Sequence, residues 1–171
     1  MRRKVKSVRA HPAESSKQKT KRKRNEPLSV AVVNHHLRLS PTFIGTIIMK
    51  SFNKMVIQSS SFSFVVLCGS HYFAIYCSNN TLEIFDSIGF LKTKDCISQN
   101  LLNFINSHLV GRSLIVNQPV QSNRSKLCGY FVIFFIILRD RGVPFETVMN
   151  KFSIDKTVND RIVTEFVNKL L

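Results

Sequence analysis

The sequence predicts an α+β domain over residues 27–171, a small and mostly antiparallel sheet packed by helices, behind a basic tail of residues 1–26. Three observations predict it. His71–Cys77, the turn residues Ser78-Asn79-Asn80 and Thr81–Phe85 form a hairpin of β-branched and aromatic strands. Between Lys94 and Leu109 the period changes: Ile97, Leu101, Leu102, Ile105 and Leu109 recur at three- and four-residue steps, the spacing of a one-sided helix. At Cys128 a polar stretch breaks into Tyr130–Leu138, an apolar run that reads as a buried helix.

The remaining elements follow in chain order. Leu28–Leu39 mixes apolar residues with His35, His36 and Arg38 and reads as a short helix or turn, and Pro41–Ile48 as an extended entry to the domain. Ser61–Cys68 has strand composition, and Gly69-Ser70 separates it from the strand opened by His71. Gly111 stops the Lys94–Leu109 helix, and Ser113–Val116 is a further short strand. The polar loop 117–127 leads to the buried helix, which Gly142 and Pro144 end. Two modest helices, Phe145–Lys151 and Thr157–Leu170, close the chain.

Composition narrows the function classes. At 171 residues and 44% hydrophobic content, with 14 Phe, the chain can build one dense core. No apolar run reaches the roughly 18–20 residues of a membrane span, so no membrane partner is expected. Arg2, Arg3, Lys4 and Lys6 lead straight into polar sequence, which is not a secretory leader and predicts an intracellular, soluble protein. The net charge of +15 is uneven: residues 1–26 hold 11 Lys/Arg against 2 Asp/Glu, and residues 27–171 hold 14 against 8. Such a tail cannot bury enough apolar surface to fold alone, so it is expected to be disordered. Its cluster Lys19, Lys21, Arg22, Lys23 and Arg24 is a candidate nucleic-acid contact and nuclear address; a merely solubilising tail is the plain alternative. Lacking aromatics, it would contact the DNA backbone without reading sequence. The cysteines at 68, 77, 96 and 128 lack Cys-x-x-Cys spacing, so no metal is expected. Without a leader, structural disulfides are not expected either, and Cys68, Cys77 and Cys96 read as small core residues.

Cys128 is different. A thiol at the first turn of a buried helix lies in the positive field of aligned peptide dipoles, which favours the thiolate. A nucleophilic Cys also needs a base, an orienting acceptor and an oxyanion donor. His71 begins one arm of the hairpin and Asp86 follows the other, so the turn at 78–80 brings imidazole and carboxylate to one edge of the sheet. Gln121 can offer a side-chain amide to an oxyanion beside the backbone N–H of Cys128, and Gly129 leaves room for a substrate backbone. Taken singly, His71 is also readable as a strand-edge histidine, Asp86 as a turn initiator and Cys128 as a core thiol.

In order and context these residues resemble the adenovirus protease (adenain) and the SUMO and ubiquitin-like-protein proteases, which carry a papain-like site in permuted chain order. The matching segments are His71-Tyr72-Phe73-Ala74, Phe85-Asp86-Ser87-Ile88-Gly89-Phe90, and Val120-Gln121 followed after six residues by Cys128-Gly129-Tyr130-Phe131. That gap is similar to adenain's, whereas SUMO proteases usually have five, and Phe43-Ile44-Gly45-Thr46 resembles a segment near the adenain N-terminus. Departures are Tyr72 where the family usually has Trp, Asp86 where adenain usually has Glu, and a shorter chain after Cys128. The resemblance implies an adenain-like fold and a cysteine endopeptidase with His71, Asp86 and Cys128 catalytic, Gln121 and Cys128 at the oxyanion, and no cofactor. Its substrates would be viral precursor proteins cut after glycine, with DNA as a partner and the host nucleus and virion as location. The alternatives are a protease for SUMO-like or ubiquitin-like conjugates, and a non-enzymatic basic nucleic-acid-binding virion protein on a degenerate protease fold. Adenain is stimulated by a peptide attached through a disulfide. Here Ser113 stands near the expected attachment thiol, so any peptide activator would bind noncovalently, adding a strand to an open edge.

Overall fold

A computed structural model of the chain describes residues 26–52, 55–93 and 97–170. The candidate DNA-contacting residues Lys19, Lys21, Arg22, Lys23 and Arg24 lie outside the described residues, as does Cys96. The elements run α1 (Val30–Leu37), β1 (Phe43–Ile48), a 3-10 turn (Met49–Ser51), β2 (Phe62–Cys68), β3 (His71–Cys77), β4 (Thr81–Phe85), α2 (Phe90–Thr93), α3 (Gln99–His108), β5 (Ser113–Val116), α4 (Cys128–Asp140), α5 (Phe145–Met149) and α6 (Lys156–Asn168).

The five strands form one sheet in the order β1-β2-β3-β4-β5. Its centre is the expected antiparallel part: Cys68 opposes His71 across the Gly69-Ser70 turn, and Ala74 opposes Phe85 in the next hairpin. Both outer pairings, β1 with β2 and β4 with β5, are parallel, which makes the sheet mixed. The reason is connectivity. β4 reaches β5 through α2 and α3, and a crossover of that length allows a parallel return that a hairpin cannot make.

β2, β3 and β4 are buried on both faces, and alternation sorts their side chains into two cores. Val65, Tyr72, Ala74, Tyr76 and Phe85 join α4, α1, α5 and α6, while Phe62, Phe64, Val66, Phe73, Ile75, Leu82 and Ile84 join α3 and the segment after β1. Every residue of α4 from Cys128 to Ile136 is buried, as a helix apolar on all sides must be. The expected Lys94–Leu109 helix begins at Gln99, where the Ser98 hydroxyl accepts from the Leu101 N–H as an N-cap. Cys68 is disulfide-bonded, not the free core thiol expected from the sequence. Among the described residues no helix is long and apolar enough to cross a membrane.

Candidate active site

The site forms where β3 begins, β4 ends and α4 begins. His71 and Asp86 do meet: the His71 Nε2–H donates to Asp86 Oδ1 at 2.8 Å, and Asp86 is fully buried. Cys128, the first residue of α4, lies close enough to His71 to raise its pKa, and its Sγ lies 4.0 Å from the Ser70 carbonyl oxygen. With Nε2 engaged by Asp86, Nδ1 is the ring nitrogen left to exchange a proton with the thiol. Burial alone would lower the His71 pKa, but hydrogen bonds to Asp86 and Cys128 and their negative charges outweigh it and raise it to about 9. The imidazolium is therefore the form that these neighbours stabilise.

Asp86 is held by groups the sequence did not single out. Its Oδ1 also accepts from the Ile88 N–H at 3.0 Å, and its Oδ2 accepts from the Thr93 hydroxyl at 2.7 Å. The Asn117 side chain clamps its backbone, accepting from the Asp86 N–H at 2.7 Å and donating to the Asp86 carbonyl at 2.9 Å. This fixes the carboxylate in position and direction, as a group that orients a histidine must be fixed. The sequence shows them only as short polar residues, Thr93 between Lys92 and Lys94 and Asn117 just after β5. Their partners lie too far along the chain for periodicity to reveal.

Gln121 is buried and tightly oriented. Its Oε1 accepts from the Ser87 hydroxyl at 2.5 Å, and its Nε2 donates to the Ser125 carbonyl at 2.8 Å, which leaves one amide hydrogen uncommitted. The Ser87 carbonyl in turn accepts from the N–H groups of Val120 and Gln121. From the other side Asn159 of α6 donates to the Val120 carbonyl at 2.9 Å, and Asp160 accepts from the Ser122 hydroxyl at 2.6 Å. The 117–127 loop is thus pinned to both the Asp86 turn and α6. Gly89 sits at φ +96°, and a Cβ there would lie 2.7 Å from Pro119 Cγ, so only glycine lets turn and loop come this close.

One expectation needs revision here. Gly129 does not open toward a substrate; a Cβ on it would lie 3.1 Å from Leu28 Cβ, so the space is occupied by the segment before α1. His35 and His36 are remote from the thiol. They line a cavity of about 330 Å³ with Arg38, Asp140 and Arg141, at the end of α4 opposite Cys128. The basic residues there lie at or just beyond the C-termini of α1 and α4, where they offset the helix dipoles.

A mixed-sheet α+β fold thus brings His71, Asp86 and Cys128 together, and fixes the Gln121 amide in the loop that leads to Cys128. No family model matches the chain, and no curated protein does. Among solved structures it is similar to the central domain of the uncharacterized Lpg1148 protein from Legionella pneumophila, at 13% identity and a TM-score of 0.43, covering 75% of this chain and 88% of that one. It is also similar to the SUMO protease Ulp1 with its catalytic cysteine oxidized to a sulfenic acid, at 12% identity and a TM-score of 0.45, covering 86% of this chain and 80% of that one.

Proposed function

We propose that this chain is a cysteine endopeptidase. The observation that carries the proposal is His71 bound to buried Asp86 and close to Cys128 at the start of α4. In the reaction the Cys128 thiolate attacks the scissile carbonyl carbon, and the new oxyanion takes the Cys128 backbone N–H and the uncommitted Gln121 amide hydrogen. His71 then gives its Nδ1 proton to the leaving amine as the C–N bond breaks, forming a thioester. Water, deprotonated by His71, attacks the thioester; the C–S bond breaks, the acid product leaves, and the Cys128 thiolate and His71 imidazolium are restored.

For substrate, we propose a polypeptide cut after glycine, as in the adenain-like proteases that the Gln121-to-Cys128 spacing resembles. Asp86 as the acidic member favours a second reading, a protease for SUMO-like or ubiquitin-like conjugates, which would act on Gly-Gly-ended conjugates. DNA contact through Lys19–Arg24, with a nuclear site of action, belongs to the same proposal and is supported by tail charge alone.

Wild type and Cys128→Ala incubated with a glycine-containing peptide library and a thiol-reactive probe test this. Cleavage by wild type alone, with the variant slower by about 10⁴-fold or more, is expected for loss of a triad nucleophile. Equal probe labelling of the two proteins with no cleavage by either overturns the enzyme reading.

A further inference from the structure

We infer that Leu28 is a positioning residue that sets how His71 on β3 meets Cys128 on α4, given the peptidase chemistry proposed for that pair. Leu28 touches the chain neighbours of both. The Tyr72 hydroxyl, one residue after the base, donates to the Leu28 carbonyl at 3.1 Å in a buried bond. Gly129, one residue after the nucleophile, lacks a side chain where a Cβ would meet Leu28 Cβ at 3.1 Å and its Cγ and Cδ1 at 3.4 Å. Base and nucleophile come from different elements, so their separation depends on how the strand packs on the helix start. A single residue that meets one neighbour with its carbonyl and the other with its side chain fixes that packing locally.

Leu28 is itself firmly placed. Ser29 caps α1, its hydroxyl accepting from the Val32 N–H, which puts Leu28 just outside the cap and Val33 in the first turn. These are the two positions of a hydrophobic staple, and both residues are buried in the α4-side core. Tyr72 is likewise buried, and burial first, then the negative charge of Cys128, keeps its phenol protonated and able to donate. Glycine at 129 is therefore needed so that Leu28 can approach, and tyrosine at 72 gives that approach a hydrogen bond. An error of about 1 Å between reacting groups costs about 100-fold in rate, so modest slippage here has a large effect.

The test is an NMR titration of His71 in full-length wild type, Leu28→Ala, Tyr72→Phe and Leu37→Ala, alongside cleavage kinetics on the library's best peptide. Leu37 is fully buried in the same core but lies at the far end of α1, so its variant reports general destabilisation. His71 should titrate at about 9 in wild type, where Cys128 contributes to the raised value. In Leu28→Ala and Tyr72→Phe the midpoint should fall by about one pH unit as the pair separates, with kcat down about tenfold or more and KM nearly unchanged. Leu37→Ala should lower Tm without moving the midpoint. Tyr72→Phe removes one hydroxyl and keeps the core filled, so it answers if Leu28→Ala does not fold. Wild-type midpoints in Leu28→Ala and Tyr72→Phe overturn the inference. An ordinary midpoint near 6.5 in wild type overturns the ion-paired site itself, and the positioning role with it.

Discussion

His71 is charged because of its neighbours, and that charge has a stability consequence. Its ordinary pKa is 6.5 and its folded value is about 9, so the folded state holds the proton more tightly than the unfolded chain does. The resulting stabilisation is fully present below pH 6.5 and is lost as pH rises through about 9. Subtracting the Tm-versus-pH curve of His71→Gln from that of wild type, between pH 6 and 10, should leave a difference that shrinks across this window. Tyr76 and Cys77, whose pKa values burial raises first of all, contribute equally to both curves and cancel. Parallel curves would mean that His71 is not ion-paired. At this scale the sequence was informative, because His71, Asp86 and Cys128 each stand where a local signal changes: a strand start, a strand end and a helix start.

The elements that carry the triad are held by polar side chains acting across long sequence gaps. Asn117 bonds both backbone groups of Asp86, a residue 31 positions earlier, and so ties the start of the 117–127 loop to the end of β4. Asn117→Ala should leave the buried Asp86 N–H unpaired, while the Asp86 carbonyl keeps the Gly89 N–H, and cost about 1–3 kcal/mol. Because the freed turn carries Asp86, kcat should fall while substrate affinity changes little. Urea denaturation and steady-state kinetics on one preparation check both effects; full activity with lowered stability would make Asn117 purely structural. Thr93 and Asn117 were not legible because nothing in their own neighbourhoods points to Asp86. The same is true of α2, whose four residues are too few to show a helical period.

Across the whole molecule the sheet separates two apolar cores, and a buried ion pair locks one face to α4. Glu83 in β4, only 1% exposed, accepts from Arg139 Nε and Nη2 at 2.7 Å each, and the guanidinium lies 4.9 Å from the Tyr76 ring centroid. Arg139 also donates to the Val143 carbonyl, which joins the end of α4 to the turn before α5. Removing one partner leaves the other buried and unpaired, so Glu83→Ala should cost about 3–5 kcal/mol. Replacing both with apolar residues of similar volume should cost much less. Chemical denaturation of the two single variants and the double variant measures the coupling, and additive costs would show that the pair does not act as a unit.

The sequence by itself determined the α+β class, the β3–β4 hairpin, the buried helix that begins at Cys128 and the His71–Asp86 encounter. Each depends on period, turn residues or hairpin closure, which are local properties of the chain. Tertiary structure alone decided that the outer strands run parallel to their neighbours, because that follows from where the α2–α3 crossover and the 49–61 connection return. It also decided that Asn117 and Thr93 hold Asp86, that α6 holds the Gln121 loop, and that Leu28, not a substrate, fills the space beside Gly129. Those contacts join residues from 7 to 101 positions apart. Their partners are chosen by packing of the whole domain, which no local pattern encodes.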